Sequence, residues 1–437
     1  MTIARLLVLG IFLIAAGAAI LVYNPAETTT ASMDADFFVS PWGNDENPGT
    51  YDAPFNTWAR AEEEAEPGDL ILFRGGYYRP TQRIHLTKPG RKGQAIRYAA
   101  YPDELPVFDF SLVKSEVGGL ELNADWVVIS GMEFANAPRA CIRVTSRPGQ
   151  ATSASNNRLE RLKIHDCGNA GITLWGNDRH DGSVGHNLLL NIDSYRNYYP
   201  PAQGNQGDGI VVGGGVGPGN RVVGCRAWDN ADDGFDTWDA GNSVLFDGNW
   251  SIRNGFNLWG QAAPWEGGGH GFKLGRSSRE DNHMLVHNIS AYNARWGFND
   301  NKNRASITLL NNTAFGNEMG DFQLDNGAHT TRFNLAPQDR ALIGEQITQE
   351  ANSWNFPEIR VSIEDFISVD IGAARRQRAP SGHLPGFGVF QLRHDSDVKS
   401  LEGLFIGSRE QVIETIGALS QTPPGAGELA SAGQSGI

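Results

Sequence analysis

Short apolar runs separated by polar turns dominate the chain from about residue 107 to 329. Segments such as Trp126-Val127-Val128-Ile129, Val222-Val223 and Ile307-Thr308-Leu309-Leu310 read as β-strands, being short, β-branched and bounded by turn formers. The turns end in asparagine at Asn169, Asn197, Asn230, Asn254, Asn293 and Asn317, and two successive pairs, Asn230/Asn254 and Asn293/Asn317, lie 24 residues apart. That interval suits one coil of a solenoid and is too short for a four-stranded propeller blade. Longer intervals hold insertions at 200–219 and 259–269.

After most of these turns comes a small or acidic residue, then an apolar one, then a polar one, as in Gly171-Ile172-Thr173, Gly234-Phe235-Asp236, Gly271-Phe272-Lys273, Gly297-Phe298-Asn299 and Asp321-Phe322-Gln323. Gly209-Ile210-Val211 breaks the polar rule. The pattern predicts a parallel β-helix in which Ile172, Ile210, Phe235, Phe272, Phe298 and Phe322 stack inside, one per coil. Their successors then point outward. The turn asparagines are expected to tolerate left-handed backbone and to bond their neighbours in adjacent coils.

Upstream, residues 54–66 read as a helix with Phe55, Trp58, Ala61 and Ala65 on one face, stopped by Pro67-Gly68-Asp69 and followed by the strand Leu70-Ile71-Leu72-Phe73. A lone helix ahead of strands is expected to cap the solenoid. The organisation that follows is a segment 1–23, a linker 24–36, a cap with first coils 37–105, a β-helix core 106–335, C-terminal coils and an irregular cap 336–420, and a disordered Gly/Ala/Ser/Pro-rich tail 421–437.

Arg5 precedes an uncharged run, residues 6–23, that contains Ala16-Gly17-Ala18. Both a cleaved signal and an uncleaved anchor fit, and either places the body outside the cytoplasm, secreted, periplasmic or extracellular. Cys141, Cys167 and Cys225 follow no metal spacing. They are expected in the core as small hydrophobes, with one disulfide as the alternative. The net charge of −14 argues against nucleic acid as a partner, since phosphate binding needs basic stripes. A monomer is expected, touching membrane only through its N-terminal segment.

The stacked register concentrates charge. With Phe235 and Phe272 in one column, Asp236 and Lys273 become outward neighbours, and Asp208 lies beside Asp233. Asp208, Asp232, Asp233 and Asp236 thus converge with a lysine alongside. Carboxylates so close hold protons unless a cation neutralises them, and calcium suits several aspartates on irregular backbone. A lysine beside that cation is expected to have a lowered pKa and to serve as a base. Together they point to β-elimination on a uronate polymer: the cation binds the uronate carboxylate, Lys273 removes the C5 proton, and the C4 oxygen leaves. Arg276, Arg295, Lys302 and Arg304 are candidates to bind further carboxylates. Trp259 and Trp265 are candidates to stack on sugar rings or, equally, to pack the insertion.

At these residues the sequence resembles polysaccharide lyase family 9, the pectate lyases of the L type. The resemblance is carried by Phe38-Val39-Ser40-Pro41 with Gly43-Asn44-Asp45, Pro48-Gly49-Thr50, Pro54-Phe55 and Pro67-Gly68-Asp69; by Asn230-Ala231-Asp232-Asp233-Gly234-Phe235-Asp236 with Asp208 upstream; and by Gly271-Phe272-Lys273-Leu274-Gly275 with Gly297-Phe298-Asn299 and Asn311-Asn312-Thr313-Ala314. Ser381-Gly382-His383-Leu384-Pro385 resembles the family's late Gly-x-Leu-Pro segment. The resemblance implies a right-handed parallel β-helix, Ca2+ on the positions of Asp208, Asp232, Asp233 and Asp236, and Lys273 as the base. Asn299 stands where the pattern has Asp and joins the candidate substrate contacts.

Two other readings stay open. A polygalacturonase-type hydrolase would use Asp232-Asp233 and Gly269-His270-Gly271, but leaves Asp208, Asp236 and Lys273 without a role. A non-catalytic carbohydrate-binding or adhesin β-helix leaves the lysine among aspartates unexplained.

Overall fold

The computed structural model describes residues 34–398 apart from 115–117, 148, 150–151, 263, 277–280, 380–381, 383, 385–387, 394 and 397. The segment 1–23, most of the linker, the tail 421–437 and parts of the 381–385 motif lie outside the described residues.

Apart from Phe37–Val39, which pairs with the next strand Leu70–Phe73, successive strands do not pair with each other; each pairs with the strand one coil away. Among the described residues three parallel sheets of twelve, nine and ten strands result. The coil Val244–Asp247, Trp250–Ile252, Phe272–Lys273 shows the plan, with one strand for the first, second and third sheet in turn. This is the parallel β-helix that the repeat predicts. Among the described residues no helix is long and apolar enough to cross a membrane.

The predicted column forms in register: Ile172 on Ile210, Ile210 on Phe235, then Phe272, Phe298 and Phe322. The four phenylalanine rings lie parallel at 4.7, 4.8 and 4.9 Å, offering dispersion beyond simple burial. Tryptophans close both ends. Trp58 packs on Phe73, Tyr98 and Phe108 at the first coils, and Trp354 meets Phe322 at the last. The capping helix is Trp58–Glu64, shorter than the expected 54–66 because Thr57 caps it through its side chain. Phe55 and Ala65 flank it and are still buried.

The asparagines behave partly as expected. Asn197, Asn230, Asn254, Asn293 and Asn317 form a buried ladder, each amide donating to the next coil's at 2.8–2.9 Å. They are not the left-handed residues, however. That role falls to the residue before them, including Arg196, Asp229, Arg253 and Tyr292, which leaves the asparagine free to point inward. Asn169 is not a rung: Cys167 occupies that place in its coil and donates its N–H to Asn197. A second ladder, Asn249–Asn288–Asn312–Asn334–Asn352, fills the bend between the first and second sheets.

All three cysteines are buried. Cys141 and Cys167 form a disulfide, so the small-hydrophobe expectation holds in full only for Cys225, which is free. Adjacent coils bring the first two together, a proximity no spacing rule announces.

Candidate active site

The outer face of the third sheet gathers the charged residues. Asp236 pairs in register with Lys273, and Val211 with Asp236. Since Phe235 and Phe272 point inward, alternation sends Asp236 and Lys273 out. Asp208 and Asp233 occupy the turns that enter these strands, and the Asp233 N–H donates to Asp208 Oδ1 at 3.1 Å. The coils close so tightly here that a Cβ on Gly271 would overlap Ser290 Oγ, which is why glycine precedes the stacked ring.

Lys273 Nζ lies 3.0 Å from Asp233 Oδ2 and 3.0 Å from Asp236 Oδ2. The remaining carboxylate oxygens are held by backbone. Asp233 Oδ1 accepts from His270 N at 2.7 Å and Asp236 Oδ1 from Trp238 N at 2.8 Å. Asp232 accepts from Gln206 N at 2.6 Å and from Gly268 N. A Cβ on Gly268 would fall 2.5 Å from Asp232 Oδ1 and 2.8 Å from Asp233 Oδ1, so only glycine brings its N–H this close. The glycine-rich run 267–271 thus delivers two of these backbone donors.

Burial and like charge set the protonation. Asp208 is pushed well above the carboxylate range by burial and then by Asp232, Asp236 and Asp233. Asp232 rises to about 7 through burial and Asp233, and Asp236 is raised chiefly by burial. Burial opposes ionisation of Asp233 too, yet Lys273 and His270 beside it hold it below its ordinary value. His270 falls to about 4 through burial. At Lys273 burial works against the ammonium, but Asp233, Asp236, Asp232 and Asp208 outweigh it and hold its pKa well up; the expected depression concerns the cation-bound site.

Asp208, Asp233 and Asp236 are all buried and each offers an oxygen within 4.8 Å of the others. Three hard carboxylate donors beside a single ammonium suit a divalent cation of the calcium type, whose charge would favour their ionised forms. Asp232 adjoins them with its oxygens already engaged by backbone.

The expected substrate contacts divide. Asn299 pairs in register with Lys273, buried, its amide donating to Gln323. Arg276 lies over the Trp238 ring at 4.2 Å and 3.9 Å from Asp239, forming with Trp238 one edge of the site. Arg295, Lys302 and Arg304 are exposed in turns flanking the next strand. Trp259 and Trp265 stack with Tyr198 at 4.7 and 6.0 Å, and Trp265 Nε1 donates to Gly255 O. They pack the insertion against Tyr198 and Gly204, and both residues are half-buried. The backbone donors of Gln206, Gly268 and His270 went unforeseen, because a main-chain N–H carries no sequence signal.

Residues 37–334 match the family model described as Pel9A-like, right handed beta helix region. The chain belongs to that family. This Pel9A-like chain is 32% identical to pectate lyase L of Dickeya dadantii (strain 3937) across 84% of its own length and 86% of the relative's. Among solved structures, pectate lyase Pel9A matches with a TM-score of 0.75 at 31% identity, covering 84% of this chain and 92% of that one. A rhamnogalacturonan lyase matches with a TM-score of 0.71 at 25% identity, covering 85% and 99%.

Proposed function

We propose that this polysaccharide lyase cleaves pectate by β-elimination, with Lys273 as the base and Ca2+ held by Asp208, Asp233 and Asp236, with Asp232 adjoining. The carrying observation is Lys273 Nζ at 3.0 Å from two aspartates of the carboxylate cluster on the outer face of the third sheet. When bound, the cation would neutralise the aspartates, draw the uronate carboxylate and disfavour a second positive charge on Lys273.

Asp233 and Asp236 aim the lysine side chain from two directions. Its amine takes the C5 proton, the electrons form the C4–C5 double bond, and the C4 oxygen departs with the leaving sugar. No water molecule enters the bond-breaking step. Asp232 ties residues 206 and 268 together and keeps the flanking insertions in place.

Ultraviolet absorbance of unsaturated uronate tests this reading. With polygalacturonate and calcium the absorbance should rise, and chelator or Lys273→Ala should abolish the rise. New reducing ends without absorbance would mean hydrolysis instead. Neither signal on any uronan would sink the enzyme reading.

We further propose that the body of the protein works outside the cytoplasm. The apolar segment 6–23 and the Cys141–Cys167 disulfide support an oxidising, exported setting.

A further inference from the structure

A second charged group lies on the same face of the third sheet. Its outward residues run in register from His85 through Glu121, Arg143, Thr173 and Val211 to Asp236 and Lys273. Arg143 therefore stands three coils, about 14 Å, ahead of Asp236. Thr173 and Val211 between them carry no charge. Beside this gap Trp175 stacks on Trp238 with ring centres 6.3 Å apart.

Arginines crowd around Arg143. Arg83 and Arg147 both pair with the buried Glu121. Arg139 lies over the Tyr199 ring at 4.5 Å and donates to its hydroxyl. Arg143 Nη2 donates to Asn177 Oδ1 at 2.8 Å, while the buried Nε atoms of Arg143 and Arg83 have no partner among the described residues. Burial weighs against the charge of Arg143; Glu121 favours it, and Arg83, Arg139 and Arg147 weigh against it again. Four guanidinium groups thus gather around one carboxylate, which pairs directly with two of them, in a chain whose net charge is −14. Such an excess calls for an external anion.

We propose that Arg143, with Arg83, Arg139 and Arg147, forms a remote subsite for the carboxylates of an unesterified uronate run whose scissile bond lies at Lys273. The proposal rests on the lyase reading of the Lys273 site and narrows its substrate. A polyuronate laid along the sheet presents a carboxylate at every sugar, so one reaches the arginine coil when another occupies the aspartate coil. The planar guanidinium matches that group. A methyl-esterified sugar offers no such charge.

Affinity electrophoresis through gels holding polygalacturonate reads binding without turnover. Wild type and Lys273→Ala should be retarded, whereas Arg143→Gln and Arg147→Gln should bind about tenfold more weakly, the loss expected for one charge-assisted hydrogen bond. Arg147 is 46% exposed, so its variant keeps the test sound where Arg143→Gln fails to fold. In the absorbance assay both variants should raise KM for polygalacturonate with kcat little changed. On gels holding methyl-esterified pectin they should match wild type. Undiminished retardation of the arginine variants, an equal loss on esterified pectin, no retardation of wild type, or a fall in kcat at constant KM would each overturn the subsite. Retardation that depends on the arginines while wild type yields no unsaturated product would uphold the subsite and remove the lyase reading.

Discussion

Lys273 sits where four aspartates outvote burial, and its neighbours decide how it ionises. Removing one of those charges should show in cation affinity before it shows in folding. Asp208→Asn keeps the acceptor for the Asp233 N–H and deletes a charge, so the calcium needed for half-maximal activity should rise about tenfold or more. Calcium titration of the absorbance assay checks it. A second residue is costly for a different reason. Asp321 is wholly buried, accepts from Asn317 through Oδ1 and leaves Oδ2 without a hydrogen bond. Burial raises its pKa to about 6. A carboxyl with a folded pKa above its unfolded one favours folding only when protonated. Its penalty is therefore absent below the unfolded value, grows from about pH 4 to about pH 6, and stays constant above. Asp321→Asn keeps the acceptor and cannot ionise. It should stabilise the protein at pH 7.5 by on the order of 2 kcal/mol and change little at pH 3.5. Thermal melts at both values decide the matter.

The asparagine ladders are the elements that hold successive coils in register. Asn254 accepts from both Asn230 N and Asn230 Nδ2, and donates to Asn293 Oδ1. Asn254→Ala leaves those buried partners unsatisfied and should cost on the order of 3 to 5 kcal/mol, since each orphaned group costs about 1–3. Urea unfolding measures it, and Asn254→Gln should not rescue it because the longer side chain does not fit the rung. This ladder was legible in the spacing of the asparagines, and so was the phenylalanine column, because one residue per coil repeats at a fixed place after each turn. The second ladder, from Asn249 to Asn352, is just as regular in space. Its intervals are stretched no more than those of the first ladder, so spacing alone does not set it apart; only the coil register shows which asparagines meet. The identity of the left-handed residue was hidden too, since Arg253 and Tyr292 are poor advertisements for a bend.

At the scale of the molecule, the described residues between 356 and 398 pack on the outer face of the second sheet. Phe366, Val389 and Phe390 join Trp250, Ile252, Ile289 and Ala291 in a cluster separate from the helix interior. Arg378 fastens this segment: its guanidinium is 2.7 Å from Asp193 and donates to Gly224 O, while Arg226 pairs with the same carboxylate at 2.5 Å. Burial raises the cost of ionising Asp193, and Arg378 and Arg226 overcome it and hold its pKa down. Arg378→Ala removes one partner of a buried pair and should destabilise the protein by about 3–5 kcal/mol. Loss of stability against urea, with lyase activity intact at low temperature, is the expected result. Among the described residues this segment packs on the second sheet, while the aspartates, Lys273 and Arg143 belong to the third.

The sequence by itself determined the coil repeat, the inward column and the convergence of Asp208, Asp233, Asp236 and Lys273, because strand alternation and coil register follow from local pattern. Only the tertiary structure decided which charges answer one another. The pairing of Cys141 with Cys167, the backbone donors on Asp232 and Asp233, and the Arg143 cluster on the third sheet all join residues from separate coils or insertions. The physical reason is the geometry of the solenoid: a strand fixes which way its own side chains point, whereas the depth of burial and the neighbouring charge come from the coils above and below.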